Sequence, residues 1–294
     1  MDPKTAHPPH GLILLLHAHL PYVRHPEREE FHEETWFFEA ALECYLPLLE
    51  VLEGWARDGI PGTLALSISP TLAAQWEDPL LTRRLRRYHA NLQELAAKEF
   101  DRALLLPERQ AVAAFYQDRL QRLGAMLDRP GFRLAAAFAS HAAAGRLELL
   151  TCPATHPTLP LLTDEPGALQ LQLRAAVEQH RTLFSAAPSG LWLPECAWIP
   201  GLEAPLLEAG IHWTVLETHG LHHATPRPPH AVFAPVRAAG GLSVFARDPR
   251  SARQVWSRHG GYPGDPRCRE FHRDVGHEAD RVYLEPHRHG ALEP

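Results

Sequence analysis

Short apolar runs closed by polar or proline residues alternate along the chain with longer stretches of helical spacing. The runs fall at 12–17, 63–67, 147–151, 190–193, 212–216 and 242–246, each short enough for a strand buried on both faces. Strands alternating with helices are the pattern of βα units around a mainly parallel sheet. Between the second and third runs, Leu85, Leu92 and Leu95 and then residues 111–127 keep helical spacing, broken at Pro107 and at Pro130-Gly131. Residues 73–145 are therefore predicted as a helical insertion of two or three helices. Pro226, Pro228, Pro229 and Pro235 exclude a helix or an inner strand and predict an exposed loop. After Gly260 the chain is charged and carries no further apolar run. Six strands are one or two short of a closed barrel.

In parallel βα folds the chemistry collects at the carboxyl ends of the strands. His17-Ala-His19 follows the first predicted strand, Ser69-Pro70 the second and Thr155-His156 the third. Glu195 follows the fourth, His219 the fifth and Arg247-Asp248 the sixth. Polar side chains at every exit point to one shared site.

Composition narrows the function. A length of 294 residues suits one large domain or two small ones. The formal charge of -6 is mixed along the chain, so no basic stripe invites nucleic acid. The longest aliphatic run, 12–16, is far below the ~20 residues a bilayer demands, and residues 1–10 are polar and expected to be flexible. A cytoplasmic protein is the expectation. Cys44, Cys152, Cys196 and Cys268 are widely spaced, which predicts reduced thiols. Twenty His and seven Trp suit a polar site that stacks flat ligands.

Glu195 sits in Leu191-Trp-Leu-Pro-Glu-Cys-Ala-Trp198, directly after a strand and between two tryptophans. Apolar rings would partly desolvate such a carboxylate and tune it as a nucleophile, while Trp192 would stack on a sugar. The alternative is a glutamate that caps the next helix. His17 and His19, two apart on a strand, share a face. They can bind one metal, with His156 and His219 as further ligands, or hydrogen-bond to substrate hydroxyls. Trp36 and Trp256 are candidate platforms and Arg253 a candidate contact. Trp213 is expected in the core, and His89 and His180 on helix surfaces.

Four segments together resemble a family: His17-Ala-His-Leu-Pro-Tyr-Val-Arg-His-Pro-Glu27, Ser67-Ile-Ser-Pro-Thr-Leu72, Ala154-Thr-His-Pro-Thr-Leu-Pro160 and Trp192-Leu-Pro-Glu-Cys-Ala-Trp198. In this order, and each after a predicted strand, they look like the motifs of family 57 glycoside hydrolases of the 1,4-α-glucan branching type. The resemblance runs from about Gly11 to Tyr283. It implies a (β/α)7 barrel and a retaining mechanism without metal or cofactor, acting on an α-1,4-glucan such as amylose or glycogen. Glu195 would be the nucleophile. His17, His19, Trp36, His156, Trp192, His219, Arg253 and Trp256 would contact substrate.

Two departures qualify that reading. The family's general acid, an aspartate in a later Asp-x-Glu-Leu-Phe-Gly-His-Trp type motif, has no counterpart before Pro294. Asp248, Asp265, Asp274 and Asp280 follow no further apolar strand. Residues 11–294 are thus expected to form a catalytic barrel portion incomplete at its C-terminal end, without the helical C-terminal domain and inactive alone. The loop after the fifth strand reads His219-Gly-Leu-His-His-Ala224 where branching enzymes often carry a tyrosine, which leaves transfer against hydrolysis open. Two other readings stand beside it: a metal-dependent hydrolase using His17 and His19, and a glucan-binding pseudoenzyme.

Overall fold

The computed structural model describes residues 11–268, 276 and 278–288. The expected flexible segment 1–10 lies outside them. The strands among them are β1 Leu15–Ala18, β2 Leu64–Ile68, β3 Leu147–Leu150, β4 Gly190–Leu191, β5 Trp213–Leu216, β6 Val236–Arg237 and β7 Ser243–Ala246. β1, β2 and β3 pair in parallel in that order, and so do β4, β5 and β7. A parallel bridge between Thr151 and Leu191 joins the two sets. Six strands therefore run the same way, one for each predicted run. β6 is additional and lies antiparallel on β7. It is only two residues long and follows the proline-rich loop, too short to leave an apolar period. Together the strands form the wall of an α/β barrel, with β1 and β6 as outer strands among the described residues.

β2 is buried at all five positions, as expected for a parallel strand covered on both faces. Its cover comes from α1 His32–Ala40, α2 Leu46–Asp58, α3 Pro70–Trp76, α4 Pro79–Ala103, α5 Pro107–Leu127 and α6 Leu134–Ala143. Proline begins α3, α4 and α5 at the first helical turn, where its missing N–H costs nothing. Pro107 thus starts a helix where the sequence suggested only a break. Ser69 caps α3 through Leu72 N–H, and Asp78 caps α4 through Leu80 and Leu81 N–H. A second core gathers Leu191, Leu193, Leu216 and Val244 against α7 Pro166–Phe184 and α8 Glu203–Glu208.

Three expectations need correction. His89 and His180 are buried, not superficial: their ring nitrogens bond the carbonyls of Leu120 and Ala186, at 2.8 and 2.9 Å. Both rings sit on the inner faces of amphipathic helices, and each engages one ring nitrogen with a carbonyl. Trp213 is only partly buried, because β5 begins with it. Its ring lies over Gly190, where a Cβ would overlap it, and its Nε1 donates to Ser189 Oγ at 3.1 Å.

The β1 edge carries an aliphatic strip. Leu12, Ile13, Leu14 and Leu16 are 82, 62, 50 and 45 % exposed. Apolar surface beside an unpaired strand edge drives edge-to-edge association. The 294-residue chain is expected to self-associate as its concentration rises, and Leu14→Lys combined with Leu16→Lys to reduce this. Light scattering behind size exclusion checks it, and a monomer at every concentration would oppose it.

Candidate active site

β1, β3 and β4 deliver the centre of the site. His17 lies on β1, with His19 in the loop just beyond it. His156 follows β3, and Trp192 and Glu195 follow β4. The rings of His17 and Trp192 stack at 4.8 Å between centroids, those of His17 and His156 at 5.2 Å, and those of His19 and His156 at 3.7 Å. Interplanar angles of 9–21° keep the four rings nearly parallel, with His17 and His156 meeting edge to edge through their Nε2 atoms at 3.0 Å.

His156 is held in left-handed backbone, φ 58°. Gln172 on α7 pins the loop by accepting from Thr155 N–H at 2.8 Å and donating to Thr155 Oγ1 at 2.9 Å. Glu195 and Cys196 are also left-handed, at φ 57° and 49°. Consecutive non-glycine residues in this region carry backbone strain, which recurs at functional sites. The turn is closed by Cys196 N–H to Leu193 O and Ala197 N–H to Pro194 O, at 2.8 and 3.1 Å. It leaves the Glu195 side chain exposed, contrary to the expected desolvation. Trp192 instead lays its ring against His17.

The imidazoles are neutral across the physiological range. Burial, with His156 and then His19 adding repulsion, lowers His17 from 6.5 to about 3. Burial and His156 lower His19 from 6.5 to about 4. Burial lowers His156 too, while the nearby Glu195 carboxylate opposes the shift.

A stability prediction follows from these directions. The unfolded chain binds protons at these histidines before the folded chain does. Their contribution is complete above about pH 6.5 and is lost as pH falls through the window toward about 3. Discounted for partial exposure, the loss near pH 4.5 is expected to be about 2 kcal/mol. Urea unfolding of the wild type and of His17→Asn with His19→Asn checks it, the double variant giving the flatter pH profile. Equal slopes would contradict it.

Glu217 escaped the sequence reading. It follows β5 and caps α9 Thr218–His222, with one carboxylate oxygen accepting from Thr218 N–H at 3.0 Å. The other accepts from Arg247 at 2.8 Å. Thr218 Oγ1 donates to Arg247 O at 2.8 Å, so the ends of β5 and β7 are tied. The signal was an acid one residue past a strand, overshadowed by His219. Ser67, Gln172 and Glu217 are the residues the reading missed, although the Ser67-to-Leu72 motif contained one of them.

Other predicted positions are exposed. Trp36 on α1 is 42 % exposed and Trp256, ending α10 Pro249–Trp256, is 76 % exposed. His219 and Arg253 are exposed too. None of the four joins the ring group among the described residues.

Several of the polar and acidic groups are structural caps. Ser69 caps α3, Asp248 accepts from Ser251 N–H at 2.9 Å to cap α10, and Asp280 caps α11 Arg281–Leu284. Asp265 pairs with Arg267, and Asp274 lies outside the described residues.

The metal alternative gains no support. His17 Nε2 and His156 Nε2 converge at 3.0 Å, but as a pair in hydrogen-bond contact, and His19 meets His156 face to face and brings no third in-plane lone pair. Among the described residues no group of three His, Cys, Asp or Glu is arranged to hold an ion. The four cysteines are free thiols, and no described helix is long and apolar enough to cross a membrane.

Flat rings and hydrogen-bonding nitrogens thus stand near a carboxylate at the carboxyl end of a parallel sheet, in an α/β barrel. The chain belongs to glycosyl hydrolase family 57, whose model matches residues 13–272.

Relatives agree. It is 32% identical over 285 residues to a probable 1,4-alpha-glucan branching enzyme of Mycobacterium tuberculosis, covering 91% of this chain and 52% of the relative. Crystal structures of the alpha-amylase AmyC from Thermotoga maritima and a GH57-type branching enzyme from Pyrococcus horikoshii superpose with TM-scores of 0.86 and 0.79. Their identities are 35% and 28%, with 93% and 92% of this chain and 52% and 51% of theirs covered. The chain thus spans about half the length of the relatives it matches.

Proposed function

We propose that this chain provides the nucleophile side of a retaining α-glucan transferase of the branching type. In the first step a Glu195 oxygen attacks the anomeric carbon, the glycosidic C–O bond breaks, and an acid delivers a proton to the departing oxygen. In the second a glucan hydroxyl attacks the same carbon, its proton goes to the conjugate base, and the bond to Glu195 breaks. A retaining pair of carboxyls stands about 5 Å apart.

The observation that carries this reading is the strained turn that presents Glu195 near the neutral ring group. Neutral imidazoles can exchange hydrogen bonds with sugar hydroxyls in both directions, and an indole face suits a pyranose. Glu217 is a poor candidate for the acid, since both its oxygens are engaged. The acid is therefore assigned to no described residue.

The substrate in this reading is an α-1,4-glucan such as amylose or glycogen, and the setting the cytoplasm. Branching is favoured over hydrolysis by the branching-enzyme relatives, although the AmyC likeness speaks for hydrolysis.

Reaction of α-maltosyl fluoride with a malto-oligosaccharide acceptor tests the proposal, because fluoride leaves with little acid help. Proton NMR is expected to show α-configured products that include α-1,6 linkages. Products of β-configuration would overturn retention, and free maltose alone would overturn transfer.

A further inference from the structure

Ser67 stands out in its strand. β2 reads Leu-Ala-Leu-Ser-Ile, and Ser67 is fully buried. A buried hydroxyl needs partners, and this one has two: His17 Nδ1 at 3.2 Å and the Thr151 carbonyl at 3.4 Å. Its single proton serves one of them. The carbonyl can only accept, so Ser67 donates to Thr151 and accepts from His17 Nδ1–H.

His17 Nε2 is then a lone pair. It lies 3.0 Å from His156 Nε2, and that contact is a hydrogen bond only if His156 carries the proton. This assignment alone turns all three contacts into hydrogen bonds. The other orientation, with Ser67 donating to His17, leaves the Thr151 contact as two facing acceptors.

We propose that Ser67 is a positioning residue that sets the tautomers of His17 and His156, so that a ligand meets one fixed pattern of donors and acceptors. Both nitrogens of His17 are then engaged inside the protein. His17 serves as a strut, and the substrate contact implied for it passes to its neighbours His19 and His156. The purpose of the arrangement rests on the glucan reading above; the tautomers themselves do not.

Long-range proton–nitrogen NMR of the 294-residue chain labelled with 15N-histidine, near pH 7.5, tests it. His17 resonances are assigned by their loss in His17→Asn. The wild type is expected to show His17 protonated on Nδ1 and bare on Nε2. In Ser67→Ala the Nε2-protonated form should take at least half the population. Ser67→Thr keeps the hydroxyl and should keep the wild-type pattern.

Malto-oligosaccharide affinity should fall about tenfold in Ser67→Ala and recover in Ser67→Thr. A wild-type His17 protonated on Nε2, or a pattern unchanged in Ser67→Ala, would overturn the proposal. If Ser67→Ala fails to fold, the wild-type tautomer and the Ser67→Thr spectrum decide it. Lack of any glucan affinity in the wild type would sink the glucan reading and leave the tautomer result standing.

Discussion

Replacing Glu195 by glutamine is expected to slow fluoride release from α-maltosyl fluoride by about 1,000-fold or more. Glutamine matches glutamate in size but its amide cannot attack the anomeric carbon. The side chain is exposed, so the change should alter stability by no more than about 0.5 kcal/mol, and a folding defect cannot imitate the loss. A fluoride electrode gives the rate and a urea melt the control. A rate within tenfold of wild type would remove Glu195 from the nucleophile role.

The backbone offers a second reading of the same residue. At φ 57° and ψ 16°, Glu195 occupies a region glycine enters freely. Glu195→Gly should therefore cost little stability despite abolishing the chemistry, as expected where strain serves a site.

Arg84→Met is the second large effect, and it acts on stability. Glu34 is 0% exposed and Arg84 5% exposed. One Arg84 nitrogen reaches both Glu34 oxygens, at 2.6 and 2.8 Å. The pair also holds the loop after β1: His25 N–H donates to Glu34 at 2.9 Å, and Arg84 donates to the carbonyls of His25 and Arg28. Gln75 and Thr71 continue the seam through Pro21 O and Leu20 O, at 2.9 and 2.8 Å.

Methionine leaves a buried carboxylate without its charge partner, which costs about 3–5 kcal/mol. Replacing both partners, Glu34→Leu with Arg84→Met, should return only part of that loss: the apolar pair buries no charge, but His25 N–H and the carbonyls of His25 and Arg28 lose their partners. Urea unfolding measures both. A single variant within about 1 kcal/mol of wild type would show that the pair is not the clamp described. The same loop begins at His19, so the single variant should also weaken glucan binding.

The sheet was legible because its strands are compact apolar runs, most completely so in β2, Leu64-Ala-Leu-Ser-Ile68, which is buried at every position. Two helix starts went unread although proline follows a capping residue at each, Ser69-Pro70 and Asp78-Pro79. Side-chain environment was not legible either. A histidine on a helix reads as superficial unless the inward face is known, and the exposure of Glu195 depends on a left-handed turn that its neighbours do not announce. The Glu34–Arg84 pair, fifty positions apart, leaves no local signal. At the site, the motifs brought together His17, His19, His156 and Trp192, while Trp36, His219, Arg253 and Trp256 are exposed.

Covalent capture addresses the nucleophile most directly. A ring-fluorinated α-glucosyl fluoride forms its glycosyl-enzyme readily and releases it slowly, so the intermediate accumulates. After proteolysis, mass spectrometry is expected to place the sugar on the peptide containing Glu195, with no labelling in Glu195→Gln. A sugar attached to another carboxylate, or unchanged labelling of the variant, would contradict the assignment.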